Sequence, residues 1–289
     1  MLPPAGHAGT RYDVSMVVSV DESSVLNARI IHRHDVTDEL AIVRIAPDEG
    51  EVPAFIPGQF CTLGLPAEDD DASAKSTGRD KPRLVRRAYS IASSADERHY
   101  LELFLILVPQ GRFSPRLFAL QKGDRLYLDP IARGDFTLQH VEPDKDLVMV
   151  ATGTGVAPFI SMLRTYPARG EKRWNRFVLI HGVRRAADLA YDEELRRIAK
   201  EDKSVVYVPT VTREPENSNW SGLRGRVQHA LEDATYQEIV GSLLAPHHCH
   251  VFLCGNPGMI EAVSQMLIAR GFTLHRRDEP GNLHYERYW

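Results

Sequence analysis

The stretch from Leu147 to Phe159 constrains this chain more than any other. An apolar run, Leu147-Val148-Met149-Val150-Ala151, meets the turn Thr152-Gly153-Thr154-Gly155, and Ala157-Pro158-Phe159 opens a helix. A buried strand running through a glycine turn into a helix leaves backbone N–H groups unpaired at the helix N-terminus. That is the geometry for holding a dinucleotide pyrophosphate. Gly153-x-Gly155-x-x-Pro158 is not the Rossmann fingerprint, because proline stands where that motif places a third glycine for close helix–strand packing. Proline is at home in the first helical turn, so the turn still aims its N–H groups outward. A plain strand–turn–helix connection is the alternative reading of these residues.

The rhythm of the chain changes near residue 140. From Val25 to Leu138 the pattern is of short strands at Ala28–His32, Leu40–Ile45, Phe60–Leu65, Arg87–Ile91, Leu101–Val108 and Arg125–Leu128, with one short helix opening at Ser114-Pro115. Close spacing of short strands predicts an antiparallel barrel or sandwich. After Val141 strands alternate with helices. The strands are Leu147–Ala151, Phe177–Gly182, Val205–Val211 and His250–Cys254; the helices are Pro158–Thr165, Leu189–Lys200, Arg226–Asp233 and Pro257–Arg270, with Gly271 as a stop. This alternation predicts a doubly wound parallel sheet. The expected fold class is therefore β followed by α/β: an extension over 1–24, a barrel domain over 25–140 and an α/β domain over 141–289. The polar stretch Ala67–Pro82 reads as a loop between two strands.

With 289 residues, 43% apolar and 26% charged, the composition is that of an ordinary globular protein, and a net charge of −4 gives no reason to expect nucleic acid. No apolar run approaches the roughly 18 residues that span a bilayer, and the first 12 residues lack a secretory apolar core. The three cysteines, Cys61, Cys249 and Cys254, form neither a disulfide framework nor an iron–sulfur spacing. A cytoplasmic monomer is the default expectation. His247-His248-Cys249-His250 alternates its side chains if extended, so at most two share a face; it reads as a polar strand entry, and no metal site is expected.

Two more segments carry chemistry. In Arg112-Phe113-Ser114-Pro115 the serine is placed to cap a helix, proline suits its first position and Arg112 adds a fixed charge. An anion would sit there, and ordinary capping without a ligand is the alternative. In Arg87-Ala88-Tyr89-Ser90, residues 87 and 89 share a face, so Arg87 could reach a phosphate while Tyr89 lies against a planar ligand. Ser90 could approach that ligand only if the strand twists or ends there. Two nucleotide sites in one chain suggest two cofactors exchanging electrons.

Taken in order, Arg87-Ala88-Tyr89-Ser90, Gly111-Arg112-Phe113-Ser114-Pro115, Ala151-Thr152-Gly153-Thr154-Gly155-x-Ala157-Pro158 and Cys254-Gly255-Asn256-Pro257-x-Met259 resemble ferredoxin–NADP reductases, and the terminal Tyr288-Trp289 resembles the bacterial branch. The likeness covers about residues 25–289. It implies FAD across the barrel and NADP on the second domain. Tyr89 would stack on the flavin, with Ser90 near its reactive nitrogen, and Arg87, Ala88 and the backbone of Arg112, Phe113 and Ser114 would hold the FAD. Phe104 to Leu107 would line the flavin edge, Thr154 would touch it from the second domain, and Trp289 would pack on it. Gly153, Gly155, Gly255 and Asn256 would form the nucleotide turns. Cys254 would face the nicotinamide, and Glu286 is a candidate for proton handling.

Charge argues for NADP over NAD. His181-Gly182-Val183-Arg184-Arg185 carries no acid placed to accept a ribose hydroxyl, and Thr212-Arg213 and Arg226 supply fixed guanidinium groups suited to a 2′-phosphate. The resemblance puts Arg213 and Arg226 on that phosphate and Arg184 on the pyrophosphate. The activity it implies is electron transfer between NADP(H) and ferredoxin or flavodoxin. An acidic carrier of this kind could dock on Arg83, Arg86, Arg87, Arg116, Arg276 and Arg277. Reduction of free flavin, ferric iron or a haem protein on the same scaffold, or service as one subunit of a larger electron-transfer complex, are the alternatives.

Overall fold

The computed structural model describes residues 25–68 and 83–287. The N-terminal extension, residues 69–82 of the polar loop, and Tyr288 with Trp289 lie outside the described residues.

Six strands build the first lobe: β1 (Ala28–Thr37), β2 (Leu40–Pro47), β3 (Phe60–Pro66), β4 (Leu84–Ser90), β5 (Leu101–Ile106) and β6 (Arg125–Leu128). They pair antiparallel in the order β4-β3-β6-β1-β2-β5. The two edge strands meet just beyond the end of β4, where the Ala92 N–H donates to the Glu102 carbonyl at 2.8 Å. The sheet thereby curls on itself, which removes an exposed edge. Inside it Ile30, Ile45, Leu63, Leu101 and Leu103 are fully buried, each contributing about 1.5–3 kcal/mol from burial. One short helix, α1 (Ser114–Ala119), follows β5.

The second lobe is a parallel sheet in the order β10-β9-β8-β7-β11-β12. Its strands are β7 (Asp146–Thr152), β8 (Arg176–Val183), β9 (Val205–Val211), β10 (Leu223–Arg224), β11 (Cys249–Gly255) and β12 (Leu283–Arg287). Continuous apolar runs in β7, β8 and β11 are what a strand covered on both faces requires. Alternation sorts their side chains: Leu147, Met149 and Ala151 pack to one face and Val148 and Val150 to the other. The connecting helices are α2 (Ala157–Thr165), α3 (Asp192–Glu201), α4 (Val227–Ala230), α5 (Asp233–Val240) and α6 (Pro257–Ile268). Three acids in the first turn of α3 and Lys200 in its last complement the helix dipole.

The core layer on the first face does not stop at the sheet. It continues into Leu40, Ile42, Ala92 and Phe104 of the barrel. Phe136, from the segment between the lobes, meets the rings of Phe159 and Phe252 at 5.8 and 5.4 Å. The lobes therefore share a core, and their relative position is set by packing.

The expected order of strands and helices recurs, with local differences, among them a longer β1 and a β4 that begins at Leu84. β5 ends at Ile106, two residues short of Val108. The helix expected from Leu189 begins at Asp192, because Leu189 itself turns out of helical geometry at ψ 72°. The helix expected over 226–233 is two short ones, broken where Glu232 is extended at ψ 138°. Neither β10 nor β12 was expected. Gly271 does close the chain after α6, at φ +88° with its N–H on the Ile268 carbonyl.

Candidate active site

The C-terminal ends of β7, β8, β9 and β11 open onto the outer wall of the barrel. Between them lies one groove of about 1320 Å³, with Arg87, Tyr89 and Phe113 on the barrel side and Gly153, Thr154 and Asn256 on the other. It exceeds the roughly 300–1,000 Å³ of a single small-molecule pocket. The ends of parallel strands are where α/β sheets bind ligands.

β4 supplies the barrel wall. Arg87, Ala88, Tyr89 and Ser90 all face the groove, and Arg87 is anchored by donating from Nη1 to the Arg86 carbonyl at 2.8 Å. The Tyr89 ring lies 6.2 Å from that of Phe113, tilted by 34°. Burial pushes its phenol up, so it stays a neutral flat surface. Ser90, the last residue of β4, also lines the groove. Its hydroxyl donates to Glu286 Oε2 at 3.0 Å. Glu286 sits on β12, and burial raises its carboxyl above the usual range against the pull of that hydrogen bond.

Ser114 does not cap α1. Phe113 occupies the cap position and no side chain bonds there. The Ser114 hydroxyl instead accepts from the Val108 N–H and donates to the Ile106 carbonyl, both at 2.8 Å. It staples the start of α1 to the end of β5. Its one proton is committed, so an anion at this end of the groove would meet Arg112 and backbone N–H groups. The strand period also decides between the β5 residues. Phe104, Ile106 and Val108 reach the groove, while Leu107, expected there, turns away from it and bonds through its N–H to Glu39.

The glycine turn splits in two. Gly153 faces the groove at φ +54°, with nothing within 4 Å of where a side chain would begin. Gly155 faces inward: a Cβ there would stand 2.3 Å from the Cys254 carbonyl oxygen. The first glycine opens the cradle; the second lets the turn pack on β11. Gly153 to Val156 form a single 3-10 turn that runs into α2 with Pro158 in its first turn.

Cys254 is fully buried behind this turn and does not reach the groove wall, contrary to the expectation that it faces a nicotinamide. Its backbone carbonyl packs against Gly155, and its sulfur lies 4.0 Å from Glu286 Oε2. Gly255 and Asn256 take the wall position instead. Gly255, at φ +133°, brings its backbone against Thr152, and a Cβ would sit 2.3 Å from Oγ1. Asn256 caps α6 by accepting from the Gly258 and Met259 N–H groups at 2.8 and 3.3 Å.

The far end of the groove is basic. Arg184, Thr212, Arg213 and Arg226 line it, and all are exposed. The Arg213 N–H bonds to the Arg184 carbonyl at 2.8 Å, tying the two loops together. Arg185 adds a guanidinium the sequence reading did not assign. Asp188 also reaches this wall, but its carboxylate accepts from the Arg185 N–H at 3.0 Å. Of the arginines expected to receive a carrier, Arg116 pairs with Glu68, Arg276 pairs with Glu279, and Arg86 covers the Tyr127 ring.

A family model described as the oxidoreductase NAD-binding domain matches residues 149–265. A ferredoxin–NADP reductase of Pseudomonas aeruginosa is 31% identical, over 92% of this chain and 98% of its own length. A flavodoxin/ferredoxin–NADP reductase of Escherichia coli is 34% identical, over 81% and 88%. Among solved structures, a ferredoxin NADP+ reductase of Neisseria gonorrhoeae with bound FAD and NADP superposes with a TM-score of 0.76 at 29% identity, covering 91% of this chain and 98% of that one. The chain belongs to the ferredoxin/flavodoxin–NADP reductase family.

Proposed function

We propose that this protein is an FAD-dependent oxidoreductase that passes electrons between NADP(H) and a one-electron carrier, ferredoxin or flavodoxin. The observation that carries the reading is the single groove shared by Tyr89 on the barrel and the Gly153–Thr154 turn on the parallel sheet. Two ligands held on those walls would face each other. The groove fits both: an aromatic platform with Arg112 at one end, an open glycine cradle in the middle and four arginines at the other.

In this reading residues 25–140 hold FAD and residues 141–289 hold NADP. Tyr89 is the flat support for the flavin, while Arg87, Ala88, Arg112 and the backbone of Phe113 and Ser114 bind its diphosphate end. Thr154, Gly153, Gly255 and Asn256 cradle the nicotinamide end of NADP, and Arg184, Thr212, Arg213 and Arg226 bind its phosphates. Trp289, outside the described residues, is assigned to the FAD by the family likeness alone. Bound FAD supplies the ability to take two electrons as a hydride and release them singly. Ser90 and Glu286 form a hydrogen-bonded pair beside the flavin support, the hydroxyl donating to a carboxyl that burial raises above its usual range.

An acidic carrier suits the arginines of β4 by charge. Among the described residues no helix is long and apolar enough to cross a membrane. The three described cysteines are buried and none forms a disulfide among the described residues, which suits the reducing cytoplasm we assign; we take the protein to act as a monomer.

Stopped-flow mixing tests the proposal. The purified protein is expected to show flavin absorbance, to be reduced by NADPH at least about tenfold faster than by NADH, and to pass electrons to ferredoxin or flavodoxin. A colourless protein, or one that transfers only to ferric chelates or free flavin, overturns it.

A further inference from the structure

His181 is a buried imidazole to which none of the roles above gives a task. It sits near the C-terminal end of β8, 1% exposed, with Nε2 3.0 Å from the Gly153 carbonyl oxygen. A carbonyl can only accept, so Nε2 carries the hydrogen. The other ring nitrogen, Nδ1, is buried with no hydrogen-bond partner among the described residues. Burial pushes the imidazole down to about 4, against the hydrogen bond to Gly153 and the charge of Asp192. At neutral pH the ring is therefore uncharged and carries a single hydrogen, aimed at Gly153.

The local geometry gives that bond a purpose. Parallel pairing sets His181 beside Ala151 and Gly182 beside Thr152, so the ring reaches forward under the next turn of chain. Gly153 is at φ +54° and nothing lies within 4 Å of where its side chain would start, so side-chain packing on that side does not fix its peptide. The direction of this peptide sets where Thr154 points and how the first N–H groups of the turn are aimed.

We propose that His181 is a positioning residue for the nicotinamide nucleotide: its Nε2–H holds the Gly153 carbonyl and, through it, the turn that presents Thr154 to the groove. This inference rests on the reading of that turn as part of the NADP site. It concerns only the nicotinamide-and-diphosphate half of the ligand, because the arginines that would hold the 2′-phosphate stand on other loops.

The test compares His181→Leu, which removes the donor, with His181→Gln, whose amide nitrogen falls near the position of Nε2. Binding of NADP+ and of adenosine 2′,5′-bisphosphate, a fragment without the nicotinamide half, is measured by calorimetry on the oxidised holoprotein. The leucine variant is expected to bind NADP+ about tenfold more weakly, the loss of one hydrogen bond's worth of alignment. Its affinity for the bisphosphate stays within about twofold of wild type, and the glutamine variant recovers most of the lost NADP+ affinity. Equal weakening of both ligands, unchanged NADP+ binding by the leucine variant, or no recovery with glutamine overturns the proposal. Should the leucine variant fail to fold, His181→Asn replaces it, since its shorter amide keeps the polarity without reaching Gly153. If the wild-type protein binds neither ligand, the NADP reading itself has failed; if wild type and leucine variant bind both alike, only the role of His181 has.

Discussion

Arg164 on α2 donates from Nη1 to Glu102 Oε1 on β5 at 2.6 Å, an ion pair that joins the parallel-sheet lobe to the barrel. Glu102 is only 2% exposed, and its other oxygen accepts from Arg44 at 2.9 Å. Arg164 also grips Glu194 through two bonds of 2.7 Å and reaches the Ala92 carbonyl at 3.0 Å. Burial works to raise the Glu102 carboxyl, but the charge of Arg164 and the bonds from both arginines outweigh it and hold it below the usual range. α2 begins at the end of the glycine turn and β5 carries Phe104, so this pair fixes the two sides of the groove against each other.

Removing Arg164 alone leaves a buried carboxylate short of a partner, which costs about 3–5 kcal/mol. Arg164→Met is expected to lower the thermal midpoint sharply and to slow reduction by NADPH. The double variant Arg164→Met, Glu102→Leu should recover much of the stability, because the stranded charge is gone. Thermal melts on the four members of this cycle check it, and strictly additive losses would contradict a direct coupling.

Exposed arginines at the basic end of the groove make cofactor choice separable from folding. Arg213→Ala and Arg226→Ala are each expected to reduce kcat/KM for NADPH by about 10–100-fold, the worth of a charge-assisted hydrogen bond, while leaving NADH nearly unchanged. The ratio of the two rates is the measurement. Parallel losses with both nucleotides would remove the 2′-phosphate from these residues.

How much of this was legible from the residues alone follows from range. Apolar runs and turn signals are local, and they gave the succession of most strands and helices along the chain. Gly153 and Tyr89 were legible because each reaches the groove by its own strand or turn geometry. Contacts made at long range were not. Ser114 reads as a cap, yet its hydroxyl is drawn to Ile106 and Val108 at the end of the preceding strand. Cys254 reads as a site residue, and only the packing of the assembled sheet shows that it is fully buried away from the groove wall. β12 carries few apolar residues because it is an edge strand, paired along its length to β11 and only at Leu283 to the segment around Leu274. His181 gave no signal in the strand where it stands, since its partner is fixed by register with a different strand.

The buried carboxyl of Glu286 works against stability once it is ionised. Its carboxyl is raised by burial, so the folded protein holds the proton longer than the unfolded chain does. The stabilisation this gives is present below the ordinary carboxylate range and is lost as pH rises through the raised value. Glu286→Gln is therefore expected to raise the thermal midpoint at pH 8 and to leave it unchanged near pH 4. The glutamine carbonyl still accepts from Ser90. Turnover with the carrier should fall by at least about tenfold if the carboxyl moves a proton. Unchanged turnover with the same gain in stability would leave Glu286 a structural residue.

Histidines dominate the response to acid. Burial holds His181 down at about 4, and burial, followed by the neighbouring His275, His250 and His140, holds His284 down at about 3. The unfolded chain takes up these protons near pH 6.5, so between that pH and the folded values it binds more protons than the native state. Stability must then fall as pH falls, by about 1.4 kcal/mol per pH unit for each such group. The His284 ring lies parallel to Phe252 at 4.2 Å, so His284→Phe keeps the stacking while removing one titrating group. Denaturant unfolding from pH 7 to pH 5 is expected to show a shallower decline for this variant than for wild type. Equal slopes would mean that His284 accepts its proton in the folded protein as readily as in the unfolded one.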